Sequence, residues 1–136
     1  MHKVIRTIVF AGLSMPLILA AQTASNVTLP QDKGPSTINV SAYPAEQQKG
    51  YKVFADKCAK CHTIARPINT IMTKEEWSRY VKRMMHKPNS GIGDSQGKTI
   101  YEFLAYDQES RKDKNPSAFF KSLSDEEIEK LKAQQH

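Results

Sequence analysis

Cysteine is nearly missing from this chain: Cys58 and Cys61 are the only two among 136 residues. No second C-x-x-C pair and no H-x3-H pair accompanies them, so a four-ligand structural zinc site stays one ligand short even with His62. Beside the cysteines no segment alternates apolar and polar residues as a strand does, and a thioredoxin-type couple wants a βαβ setting. Internal repeats are also lacking. Lys and Arg outnumber Asp and Glu by 20 to 14, but lysine and glutamate are interspersed. The concentrated basic stripe of a nucleic-acid interface is therefore missing, and no nucleic-acid partner is expected. The apolar run Thr7 to Ala21 is short for a membrane span and contains Pro16, so no span is expected in the mature chain.

What the chain does contain is Cys58-Ala59-Lys60-Cys61-His62. C-x-x-C-H is the attachment signature for c-type haem. Two thiols three positions apart on one helical turn can each add across a haem vinyl group, giving two thioethers. The next residue, His62, then offers its imidazole as the proximal iron ligand. One covalent haem c is the expected cofactor. A redox dithiol, a zinc site and a plain disulfide stand as alternatives, the last of them leaving His62 without a purpose.

Residues 1–21 agree with that reading. Lys3 and Arg6 form a positive n-region, and Thr7 to Ala21 form an apolar h-region ending in small residues, the pattern of a secretory signal peptide cleaved after Ala21. Haem of this type is attached outside the bacterial inner membrane, so export and the motif predict one another, and a periplasmic location is expected. Taking 21 residues from 136 leaves 115, and losing Lys3 and Arg6 lowers the formal charge from +6 to +4. That is one small domain whose modest core a haem would enlarge. The remaining positive excess reads as a solvated surface suited to an acidic redox partner.

Residues 22–44 are polar and carry Pro30, Gly34, Pro35 and Pro44, which predicts an extended, mobile arm. From Ala45, the residues Tyr51, Phe54, Ala55 and Cys58 fall at helical spacing and lead into the motif. Arg66-Pro67-Ile68-Asn69 interrupts the chain. Thr73 with Glu76 forms a capping box opening a second helix, whose apolar face is Trp77, Tyr80, Val81, Met84 and Met85. Lys87-Pro88 ends it. After the turn from Asn89 to Gly93, a third helix from Asp94 or Ser95 carries Ile100, Tyr101, Phe103 and Leu104. Residues 107–136 read as a solvated charged connection followed by a short peripheral helix, capped by Ser124 and Glu127. Leu123 and Ile128 are placed as its hydrophobic staple.

Gly50-Tyr51-x-x-Phe54-x-x-x-Cys58-x-x-Cys61-His62, followed by Ile100-Tyr101-x-Phe103-Leu104, resembles the class I c-type cytochromes. Trp77-x-x-x-Val81-x-Arg83-Met84-Met85 is similar to a subgroup of small bacterial monohaem members. The resemblance spans residues 45–106. It implies an all-α cytochrome c fold of about three core helices around one haem, with an extended N-terminal arm and a short peripheral C-terminal helix added. It also implies that the Gly50 helix crosses the last core helix, with Tyr101 or Leu104 packed over Gly50.

A sixth iron ligand is then expected, with Met72, Met84, Met85 and His86 as candidates. Met84 is favoured because it lies seven residues after Trp77 and three after Val81, on one helix face; its position nearer to His62 than in better-known members is a departure from the family pattern. Arg66 and Trp77 are candidates for holding a haem propionate, and the carbonyl of Pro67, or one nearby, for orienting the His62 ring. Nothing resembles a positioned catalytic pair, so the expectation is a carrier and not an enzyme. It would be a periplasmic monomer passing single electrons between redox partner proteins. The alternatives are a sensor or scavenger of NO or CO, and a fixed cytochrome subunit of a larger respiratory complex.

Overall fold

A computed structural model of the chain describes residues 27–60 and 63–134. The expected signal peptide and the pair Cys61 and His62 lie outside the described residues.

The chain is all-α in class, with three helices making the core. The first, α1 (Ala45–Cys58), follows Pro44 and buries Gly50, Phe54 and Cys58, residues four apart and so on one face. A single turn, α2 (Ala65–Ile68), and a two-residue strand, β1 (Thr70–Ile71), come next. Helix α3 (Lys74–Met85) opens on the expected capping box: the Glu76 N–H donates to Thr73 Oγ1 at 3.2 Å, and the Thr73 N–H to Glu76 Oε2 at 2.7 Å. Helix α4 (Asp94–Asp107) buries Gly97, Ile100, Phe103, Leu104 and Asp107. Strand β2 (Phe120–Lys121) pairs in parallel with β1, Thr70 opposite Phe120. The last helix, α5 (Asp125–Ala133), has the expected Ser124–Glu127 box and no buried residue, as its two apolar side chains led one to expect.

Glycine sets both helix contacts. At the crossing of α1 and α4, Gly50 lies against Phe103, whose Cβ is 3.0 Å from where a Cβ on Gly50 would stand. The partner is thus Phe103, and the expectation of Tyr101 or Leu104 is corrected: the buried stripe of α4 runs through 100, 103, 104 and 107, which leaves Tyr101 at its edge. Tyr51 and Phe54 close on the Phe103 ring, with centroids 5.5 and 5.3 Å away. Where α3 meets α4, Gly97 makes room for the Met85 thioether. Between these contacts lies one apolar cluster of Phe54, Cys58, Ile64, Ile68, Trp77, Tyr80, Val81, Ile100, Phe103 and Leu104.

Two expectations about the flanks are overturned. The described part of the arm is docked: Val27, Leu29 and Gln31 are buried. Asp32 receives Arg66 Nε at 2.8 Å and Nη2 at 2.5 Å, and Nη2 also reaches the Val27 carbonyl at 2.9 Å. Nor do residues 107–112 form a solvated connection. They carry α4 onward through a wider turn, Gln108–Lys112, closed by the Asp113 N–H on the Gln108 carbonyl at 2.9 Å. Asp107, Gln108 and Lys112 are buried there. These polar groups are tolerated because each meets a partner, which composition alone does not disclose. No helix among the described residues is long and apolar enough to cross a membrane.

Candidate functional site

Cys58 ends α1 with its side chain buried in the apolar cluster. The helix therefore delivers the first thiol of the motif to the core, and the chain leaves the helix there toward Cys61 and His62. Tyr80 of α3 is buried nearby. Burial pushes its phenol well above the ordinary range, and the charge of Cys58 adds to the effect while Arg66 and Arg83 oppose it. Tyr80 is thus a neighbour of the Cys58 thiol that sequence spacing did not single out. Its position in the apolar face of α3 was the available signal.

The four candidate iron ligands separate in the structure. Met84 and Met85 are half-buried and pack on the same cluster as Cys58. Met85 faces α4, its sulfur filling the space above Gly97. His86 is exposed and caps its own helix, with Nδ1 at 2.6 Å from the Lys82 carbonyl. Met72 is likewise half-buried against that cluster, and it also lines a surface groove of about 480 Å³ with Lys74, Gln108 and Glu109, among others. Neither Cys58 nor Met84 is part of that groove.

The residues placed near haem propionates have other partners. Arg66 is taken up by Asp32, as above. The Trp77 indole N–H donates to Gln108 Oε1 at 3.3 Å, its ring is wholly buried, and Tyr80 meets it edge-on with centroids 5.6 Å apart. Core packing is therefore the role this structure gives it.

The segment after the motif is gripped from two sides. From the continuation of α4, Lys112 Nζ donates to the carbonyls of Pro67 at 2.8 Å and Thr70 at 2.7 Å, and Arg111 Nη2 to that of Ile68 at 3.0 Å. From the arm, Asn69 Nδ2 faces the carbonyls of Gln31 at 3.1 Å, Pro35 at 3.0 Å and its own turn's Ala65 at 2.8 Å, two hydrogens shared among three acceptors. The Pro67 carbonyl, expected to orient His62, thus already accepts from Lys112; its second lone pair is left for another donor. Asp107 anchors the grip, receiving Arg111 Nε at 2.7 Å and the Tyr43 hydroxyl at 2.8 Å. None of Lys112, Arg111 and Asp107 was among the residues singled out from the sequence.

The donor chemistry fits a c-type haem. A core-facing thiol suits vinyl addition, and imidazole and thioether are ligands that haem iron takes. Cys58 and Met84 belong to one apolar cluster, and a chain crossing at Gly50 holds the Cys58 helix in place. Comparison with protein-family models, with curated proteins and with solved structures returns no match.

Proposed function

We propose that this chain is an exported monohaem c-type cytochrome that carries single electrons between redox partner proteins. The observation that carries the proposal is the placement of Cys58: the first thiol of a C-x-x-C-H motif ends a helix whose Gly50 seats against α4. Cys58 and Cys61 would hold the haem covalently, His62 would supply the proximal imidazole and Met84 the distal thioether. When bound, the group supplies an iron that gains and loses one electron.

The chain's own part is positional. Helix α1 presents the thiol to the apolar cluster, and α3 presents Met84 to the same cluster. The Pro67–Thr70 turn, held by Lys112 and Arg111, fixes the chain just beyond His62. A sulfur ligand and a water-poor surround favour the ferrous state over what two imidazoles would give. No side chain performs acid–base chemistry on a substrate in this reading, so the protein is a carrier and not an enzyme.

A redox titration of the purified exported protein tests it. A single reversible one-electron wave is expected, with a ferrous form that binds CO slowly or not at all. Rapid, stoichiometric CO or NO binding would overturn the carrier reading in favour of a gas-binding protein.

A further inference from the structure

Lys112 is an unusual cation. Its side chain is 0% exposed, yet its Nζ meets two carbonyls, the Trp77 ring at 4.6 Å to the centroid, and Asp107 Oδ2 at 3.6 Å. A neutral amine has two N–H groups and an ammonium three. The carbonyls of Pro67 and Thr70 can therefore both stay satisfied when Lys112 gives up a proton, and the third hydrogen is the one left to face Asp107. Loss of that proton need not unlock the turn.

Resting on the redox reading above, we propose that Lys112 is a positioning residue of the redox centre, holding the turn after the motif while taking up a proton when the centre is reduced. On reduction the centre gains one electron from its redox partner and the Lys112 amine gains one proton from solvent; on reoxidation both leave. The coupling has a plain cause: an added electron makes the neighbourhood one charge more negative, which favours the ammonium.

Two further features support the proposal. Burial pushes the Lys112 ammonium down to about 7, with Asp107 and Asp113 opposing and Arg111 assisting, which puts the exchange in a working pH range. Asp107 favours the charged amine from 3.6 Å, and is itself held in place by Arg111 Nη2 on that same oxygen at 2.6 Å and by the half-buried Tyr43 of the arm, which donates to its other oxygen. Facing Lys112 from α3 is the Trp77 ring, and from the turn the two carbonyls.

The test is the midpoint potential of the haem-loaded mature chain as a function of pH. In the unaltered protein the potential should fall as pH rises through neutrality; a tenfold difference in Lys112 acidity between the two redox states moves it by about 59 mV in all. Lys112→Met should give a lower potential without that slope. Lys112→Arg, which keeps its charge at any accessible pH, should also be flat but lie higher than Lys112→Met. A flat profile in the unaltered protein overturns the proposal whether or not either variant folds. A slope that survives in Lys112→Met assigns the proton to another group and overturns it equally. Measuring bound haem before the titration separates these outcomes from failure of the redox reading, in which case the chain would carry no covalent haem and both proposals would fall.

Discussion

Replacing Gly50 by alanine is the sharpest test of the crossing that holds Cys58 in place. A Cβ at this position would lie 3.0 Å from Phe103 Cβ, 3.6 Å from the Thr99 carbonyl oxygen and 3.8 Å from Phe103 Cγ. Phe103 Cβ is fixed to the α4 backbone, and its side chain is buried under Tyr51 and Phe54. No rotamer change removes the clash, so the helices must separate. Overpacking of this kind costs about 1–3 kcal/mol, and the better helix propensity of alanine returns about 1 kcal/mol. The expected net loss is up to about 2 kcal/mol, or roughly 8 °C in Tm at about 4 °C per kcal/mol. Gly97→Ala is the control. Its new Cβ would meet Met85 Sδ, Cε and Cγ at 2.4, 3.0 and 3.3 Å, the movable end of a flexible side chain. Met85 can swing away, and the variant should be neutral or up to about 1 kcal/mol more stable. Urea unfolding followed by far-ultraviolet circular dichroism reads both. The reasoning is refuted if Gly50→Ala is the more stable of the two.

Five further substitutions, at four positions, probe the rest of the molecule. Met84→Ala should abolish the weak red methionine-to-iron band of the ferric protein and open the iron to CO, and Met84→His should keep six-coordination at a lower potential. Met85→Ala, which empties the space above Gly97, should cost about 2 kcal/mol and leave the band intact; the reverse pattern would make Met85 the ligand. Stability should rise between about pH 7 and 10.5 because of Lys112: over that window the unfolded lysine keeps the proton that the folded one has released. Urea midpoints across the window should show a slope that Lys112→Met flattens, and an unchanged slope would contradict it. Arg66→Ala strips Asp32 of its guanidinium partner, although that carboxylate is only 8% exposed. A loss of about 1.5–3 kcal/mol and faster proteolysis within residues 27–35 are expected, and unchanged proteolysis would mean that the arm is held by other contacts.

Helices were legible where one local rule sufficed. Thr73 with Glu76 and Ser124 with Glu127 announced their own caps, and the apolar spacing of Trp77, Tyr80 and Val81 announced the buried face of α3. What was illegible depends on pairs far apart in the chain. Asp32 and Arg66 meet across 34 positions, and Lys112 and the Pro67 carbonyl across 45. A local composition rule calls Asp107-Gln108-Glu109-Ser110-Arg111-Lys112 polar and therefore exposed. Burial of Asp107, Gln108 and Lys112 follows instead from partners that the fold supplies. The same limit applies to Gly50: its role in a close approach could be inferred from the resemblance, but the identity of Phe103 as its partner required the phase of α4.

The central claim is covalent haem on Cys58 and Cys61, and intact mass under denaturing conditions addresses it most directly. The chain should be made with residues 1–21 included, in a host that attaches c-type haem, then denatured and treated with a thiol-alkylating reagent. The account predicts a polypeptide beginning at Gln22 that carries one haem resistant to acid–acetone extraction, with neither cysteine alkylated. A bare chain whose two thiols both react, or a haem that extracts, would contradict it.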